Sequence, residues 1–398
     1  SLAQSYLEAY GGQYFSFRNL DAAFAPQIFR PECKLWREFF AEIGETKNRP
    51  VIFFDDMDDK NDKKEFLNVL PALAGKAYVV LIVRNQMELP FPSDILQMTA
   101  VTVPMLLTEN KGLDPLDALR TIAITNGIPE LVRLFDFQRP FAENLGVLFT
   151  QNSTYFRYAE SELRRHFRTP ETYNILLYGM ATGHNRISQL AEFSGFPQNK
   201  CDKYLKALDK AELLETVQRN DTAGHVRTHY YPKGGYWKTW FRYVFPSQGR
   251  YMKPLEGDSL QQLADDIDRT IVAEYFKTVC WKWMRKNYGD YYWDEILRFD
   301  DPKQQNVIVN GVHFDYVQET KDHTIYVKIW DDIGEGFPKA EFQKIETVTT
   351  KNRPFYENIY FLFSAGRACN YVEQLRNLDT VAVVDLKSLL GQKNKDLF

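Results

Sequence analysis

The sequence has no cysteine pair at metal-ligand spacing. Cys33, Cys201, Cys280 and Cys369 stand far apart, and no CxxC occurs. That excludes the usual structural zinc patterns and leaves scattered buried thiols as the plain reading. No stretch reaches the ~18 uninterrupted apolar residues of a membrane-crossing helix. The N-terminus lacks the basic, apolar, small-residue order of a signal peptide. A cytoplasmic protein without a membrane partner is therefore expected. Charge of one sign is also scarce: the net charge is −4, so the whole chain is no generic polyanion binder, and any nucleic-acid contact must come from a local patch. Repeats and low-complexity tracts are absent. What remains is 398 residues, 26% charged and 15% aromatic, enough chain for two or three domains with their own cores.

Short apolar runs alternate with helical spacing through the first hundred residues. Leu2, Tyr6, Leu7 and Tyr10 share a helical face that ends at Gly11-Gly12. Gln13–Phe17, Val51–Phe54, Tyr78–Val83 and Ala100–Pro104 read as strands, with helices at Leu35–Ile43 and Lys63–Leu73 between them. Such alternation predicts a parallel sheet buried on both faces, with ligand sites at the carboxyl ends of its strands. From 113 onward the pattern turns helical. Residues 170–232 predict three helices and a hairpin, turning at Asn220-Asp221-Thr222-Ala223-Gly224, which is the order of a winged helix. After a polar boundary near Pro246–Asp258 come a long amphipathic helix over 259–287 and a second α/β segment.

The most informative stretch is Val51-Ile52-Phe53-Phe54-Asp55-Asp56. An apolar strand delivers two carboxylates at its C-terminal tip. In a phosphoryl-transfer site the first such acid holds Mg²⁺ through water and the second orients or deprotonates the attacking water. A solvated acidic loop is the alternative. The next strand ends at Val83-Arg84-Asn85, a polar tip, and Asn126-Gly127-Ile128-Pro129 opens a later helix. This order of features resembles the signal-transduction ATPases, and most of all the archaeal-type P-loop ATPase family. The resemblance implies an ATP- and Mg²⁺-binding α/β core with slow hydrolysis, in which Asp55 binds the metal, Asp56 is the catalytic acid, Arg84 is a sensor, and Gly127 and Pro129 pack near the nucleotide base. It implies four segments: the core over 1–112, a helical lid over 113–168, the winged helix over 169–250, and a restriction-endonuclease-like α/β domain over 251–398. The departure from the family is plain: no G-x-x-x-x-G-K-[ST] occurs. The family pattern sets that loop directly before a helix like Ser1–Leu7, so the first strand and phosphate loop are expected upstream.

Two further sites follow from the residues. The third helix of the winged segment carries Lys200, Lys203, Lys206 and Lys210, and the wing adds Arg219, His225, Arg227 and His229, which suit DNA phosphates. Residues 170–230 nevertheless hold seven Lys/Arg and seven Asp/Glu, so docking onto the protein itself, or onto a protein partner, is the other reading. In the C-terminal segment, Asp315 on one strand and Lys328 on the next stand where an endonuclease-like fold carries its metal acid and lysine, with Glu274 as a candidate second carboxylate. The position that should hold glutamate is Tyr326, a poor ligand for a hard cation, so nuclease activity is expected to be lost. A pair between Lys328 and Asp315 is the plainer role for the lysine.

Overall fold

The computed structural model describes every residue except 1, 18–19, 44–48, 57–62, 84–88, 90, 96–98, 221–225, 248–256, 290, 293–294, 302, 353–355, 392–396 and 398. Two compact units divide between Thr99 and Ala100. In the first, helix α1 (Leu2–Tyr10) precedes strand β1 (Gln13–Ser16); short helices α2 (Ala25–Phe29) and α3 (Trp36–Ala41) lead to β2 (Val51–Asp55); α4 (Lys64–Val69) and a 3-10 turn lead to β3 (Tyr78–Ile82). The strands lie in the order β1-β2-β3, all parallel. Helical crossovers between consecutive parallel strands leave β2 central and buried at Ile52, Phe53 and Phe54, which explains its unbroken apolar run. One face packs on an aromatic core of Phe17, Trp36, Phe39, Phe40, Phe54 and Phe66. Trp36 donates its indole N–H to the Ala22 carbonyl at 2.8 Å, so the ring is buried without a polar cost.

The second unit begins with a correction. Ala100–Pro104 is not a strand: Thr102 caps helix α5 (Val103–Glu109), accepting the Met105 N–H on its hydroxyl, with Pro104 in the first turn. A Thr cap with an early proline favours helix start over strand, whatever the apolar content. Helices α6 (Pro115–Thr125), α7 (Pro129–Val132), α8 (Phe141–Leu148) and α9 (Thr154–His166) follow. Next come α10 (Glu171–Ala181), α11 (Ile187–Ser194), α12 (Gln198–Lys210) and an antiparallel hairpin of β4 (Leu214–Asn220) and β5 (Val226–Pro232). Helix α13 (Gly234–Thr239) then runs into a π-helical turn over Trp240–Val244.

The long helix expected over 259–287 spans α14 (Asp258–Ile267) and α15 (Ala273–Tyr288), joined by a second π-helical turn, Asp268–Val272. Two short strands, β6 (Tyr291–Tyr292) and β7 (Glu295–Ile296), pair antiparallel after it. A mixed sheet closes the unit, in the order β12-β11-β10-β9-β8. Its strands are β8 (Gln305–Val309), β9 (Val312–Glu319), β10 (His323–Ile329), β11 (Glu357–Ser364) and β12 (Val381–Asp385). Helix α16 (Lys339–Asn352) crosses between the parallel strands β10 and β11. One face of the sheet shares a core with α15 that runs from Val103 to Leu397; the other packs Phe314, Tyr326, Phe342 and Tyr360 in a smaller core. Because the larger core is continuous, the breaks expected near 112, 168 and 250 lie within one compact unit.

Candidate functional site

The acid pair stands at the C-terminal tip of the central strand of the parallel sheet, where open α/β sheets bind their ligands. Asp55 is half-buried. Its Oδ1 accepts the Asp56 N–H at 2.7 Å and its Oδ2 accepts the Tyr14 hydroxyl from the neighbouring strand. Asp56 turns the chain with φ of 59°, a left-handed conformation that aspartate tolerates better than most residues, and its Oδ2 accepts the Ser16 hydroxyl at 3.2 Å. Tyr14 and Ser16 thus aim the two carboxylates, and neither was legible as a partner until the β1–β2 register was known.

Helix α1 is tied to the same sheet. Tyr6 packs edge-on against Phe53 at 5.6 Å, and a side chain at Gly12 would strike the Val51 carbonyl at 2.7 Å and touch Leu7. The helix therefore runs against the strand direction. Four helical residues back from Tyr6 climb about 6 Å, the same as two strand residues from Phe53 to Asp55. Its first turn consequently lies at the sheet end that carries the acids. Arg84 lies outside the described residues.

Gly127 and Pro129 belong to the second unit, where they form a packed corner. Asn126 adopts a left-handed conformation at the end of α6, with φ of 54°. Gly127 follows at φ of 65°, its carbonyl accepting the Val101 N–H at 2.7 Å. A Cβ there would fall 2.1 Å from the Val101 carbonyl, so no side chain fits. Pro129 occupies the first turn of α7, and Asn126 Oδ1 accepts the Tyr236 N–H at 3.1 Å. Beside this corner opens a cleft of about 340 Å³ lined by Val101, Ile122, Asn126, Lys238, Glu274 and Tyr275, among others.

Glu274 is engaged in that cleft. It accepts the Lys238 ammonium at 2.6 Å, and Glu215 lies 3.6 Å from the same nitrogen. The expected pair between Lys328 and Asp315 is corrected. Lys277 on α15, which sequence reasoning missed, bonds Asp315 Oδ1 at 2.9 Å. Asp315 Oδ2 accepts the Ile329 N–H at 2.7 Å. Lys328 instead donates to the His313 carbonyl at 2.8 Å and lies 4.0 Å from Glu341 on α16.

The cause is an irregularity in β9. Phe314 belongs to the smaller core and Tyr316 to the larger one, although two residues apart they should share a face. The β8 residue that the pairing skips beside Asp315 is Asn306, at φ of 53°, and the β9–β10 ladder ends at Tyr316↔Val327. The side chain of Asp315 takes the place of a ladder carbonyl, as at a bulge. Burial pushes the nearby Cys280 thiol well up, with Asp315 adding to the effect. Tyr326 is buried among Phe314 and Tyr360, remote in character from a metal ligand.

On α12, Lys200, Lys203, Lys206 and Lys210 are all exposed. Lys206 is paired with Asp202 at 2.7 Å, and Lys200 lies over the Phe196 ring at 4.0 Å. Arg227 is exposed on β5, directly opposite Arg219 on β4; His225 lies outside the described residues. Among the described residues Glu32, Cys33 and Glu42 come within 4.8 Å of one another, but Glu42 is already paired with Arg30 at 3.0 Å.

No family model matches the chain. The "Uncharacterized protein MJECL04" of Methanocaldococcus jannaschii is 28% identical over 127 residues, a match covering 31% of this chain and 28% of that protein. The matched region thus spans well under two thirds of that relative's length.

Proposed function

We propose that the chain is an ATP-dependent molecular switch of the P-loop class, with slow Mg²⁺-dependent hydrolysis. The observation that carries this reading is the Asp55–Asp56 pair, held by Tyr14 and Ser16 at the carboxyl end of a central parallel strand. Asp55 keeps lone pairs beyond its two hydrogen bonds and is half-exposed, which suits a hydrated Mg²⁺ held through water. Asp56 would orient the attacking water, and its side chain is shorter than a glutamate, consistent with slow turnover. The first turn of α1 at the same sheet end is where a phosphate-binding loop would lead in. Among the described residues β3 is the edge of the sheet, yet it is apolar throughout, and Tyr78 and Val80 are exposed on it, as befits a strand that takes a further neighbour.

Under this reading the hairpin, α12 and the C-terminal sheet are the elements whose arrangement nucleotide would bias. The C-terminal half is read as endonuclease-like in ancestry and inactive. With both Asp315 oxygens engaged, by an ammonium and a backbone N–H, a metal cage is not favoured. The test is Mg-ATP binding and turnover by the full-length protein and its Asp56→Asn variant. Retained binding with lost turnover supports the switch; absence of any binding ends it.

A further inference from the structure

One face of α15 lines the cleft beside the Asn126–Pro129 corner. Tyr275, Thr278 and Lys282 follow one another at three- and four-residue spacing, so they share that face, and all three border the cleft. The walls across from them are apolar at Val101, Ile122 and Ile271. Every lining residue belongs to the second unit. The volume of about 340 Å³ is that of a site for a small molecule.

The polar groups of the cleft divide sharply. Its acceptors are engaged: the Lys238 side chain, 11% exposed, lies 2.6 Å from Glu274 and 3.6 Å from Glu215. Its donors are not. Neighbouring tyrosines find partners, as such phenols usually do: Tyr155 donates to the Ile124 carbonyl at 2.9 Å and Tyr236 to the Tyr155 carbonyl at 2.9 Å. The half-buried Tyr275 hydroxyl has no hydrogen-bond partner among the described residues. Asn126 accepts the Tyr236 N–H on Oδ1, while its Nδ2 has no acceptor among them. Lys282 is exposed and has no carboxylate partner among them. Donors shielded from water without an acceptor carry a cost that a ligand's acceptors would remove.

We propose that this cleft binds a small organic acid with an apolar body. The carboxylate pairs with the Lys282 ammonium, the body lies against Val101, Ile122 and Ile271, and a further acceptor meets the Tyr275 hydroxyl and the Asn126 amide. Helical side chains lean toward the N-terminus of their helix, so Lys282 reaches back over Thr278 into the cleft. Glu274 stands eight helical residues away, about 12 Å along the axis, which is beyond the screening length of ~8–10 Å at ordinary salt. The acid end of the cleft therefore does not repel an anion at Lys282. A cationic ligand is less suited, because both carboxylates already face Lys238. The assignment does not rest on the nucleotide reading.

The experiment is saturation-transfer difference NMR of the full chain with two matched probes, N-acetylphenylalanine and N-acetylphenylalaninamide. Both should bind with dissociation constants on the order of 1 mM, the acid about threefold tighter through one exposed ion pair. Lys282→Met removes that preference and leaves the amide unchanged. Tyr275→Phe weakens both probes. Thr278→Trp, at an exposed position, fills the cleft and abolishes both. Unaltered circular dichroism and melting temperature show that the variants stay folded. No binding of either probe, equal affinities in wild type, a preference that survives Lys282→Met, or binding that survives Thr278→Trp overturns the proposal. Displacement of the bound acid by ATP also overturns it, and assigns the cleft to nucleotide.

Discussion

The Arg120 guanidinium closes on the Asp268 carboxylate 148 residues further along the chain, with Nε 3.0 Å from Oδ1 and Nη2 2.5 Å from Oδ2. Its third nitrogen bonds Asp117 at 2.9 Å. The pair fastens α6 to the π-helical turn inside the long helix, and so fixes the helix that ends in the Asn126–Pro129 corner. Its side chains are 22% and 13% exposed, which makes it a largely desolvated pair whose members depend on each other.

Removing one partner is accordingly predicted to cost more than a surface ion pair would. Arg120→Ala and Asp268→Asn should each lower the unfolding free energy by about 2 kcal/mol in urea titrations. The double variant should be less destabilised than the sum of the two, as a coupled pair requires. Strict additivity would show that the contact contributes nothing.

Two glycines are predicted to be irreplaceable for steric reasons. A Cβ at Gly235 would lie 1.9 Å from the Ala123 carbonyl, and at Gly127 2.1 Å from that of Val101. Backbone must move to admit either. Gly235→Ala and Gly127→Ala should each cost roughly 2 kcal/mol or more by thermal or urea unfolding, against a change of only about a few tenths for Gly334→Ala, where an added Cβ meets only Asp332 Oδ1 at 3.6 Å. A neutral Gly235→Ala would contradict the close approach.

In the C-terminal sheet, Lys277→Met strands the Asp315 carboxylate, 5% exposed, without its counter-ion. A loss of about 2–3 kcal/mol is expected. Asp315→Asn should cost less, since its side-chain oxygen still accepts the Ile329 N–H. Mg²⁺- or Mn²⁺-dependent DNA cleavage by wild type that Asp315→Asn abolishes would overturn the reading of this half as inactive.

For the acid pair, Asp56→Asn is predicted to reduce ATP turnover by at least about 10²-fold with nucleotide binding retained, the range for loss of a positioned base. Asp55→Asn should weaken binding only when Mg²⁺ is present. Equal loss of binding with and without Mg²⁺ would argue against a metal role for Asp55.

Buried tyrosines set the alkaline limit. Burial raises the phenols of Tyr155, Tyr236 and Tyr275, and pushes Tyr316 up to about 12. A raised folded-state value contributes stability that is fully present below the unfolded value near 10 and is lost as pH rises toward the folded value. Ultraviolet titration should therefore show a group of tyrosines that ionises only together with loss of circular dichroism. A single smooth titration of all tyrosines before unfolding would refute this.

The sequence by itself determined the local structure that depends on neighbouring residues. The unbroken apolar run at Val51–Phe54 marked a strand buried on both faces. The three helices and hairpin expected over 170–232 stand as α10, α11, α12 and the β4–β5 pair. The acids at 55 and 56 could be placed at a strand tip for the same reason. Where apolar content misled, at Ala100–Pro104, a capping Thr and an early Pro outweighed it.

Only the tertiary structure decided which charged groups meet. Lys277 and Asp315, Lys238 and Glu274, and Arg120 and Asp268 are 38, 36 and 148 residues apart, and no periodicity links them. At the irregularity in β9 the Asp315 carboxylate accepts the Ile329 N–H in place of a ladder carbonyl. Side-chain pairing across a fold depends on register and packing, which act over distances that hydrophobic spacing does not encode.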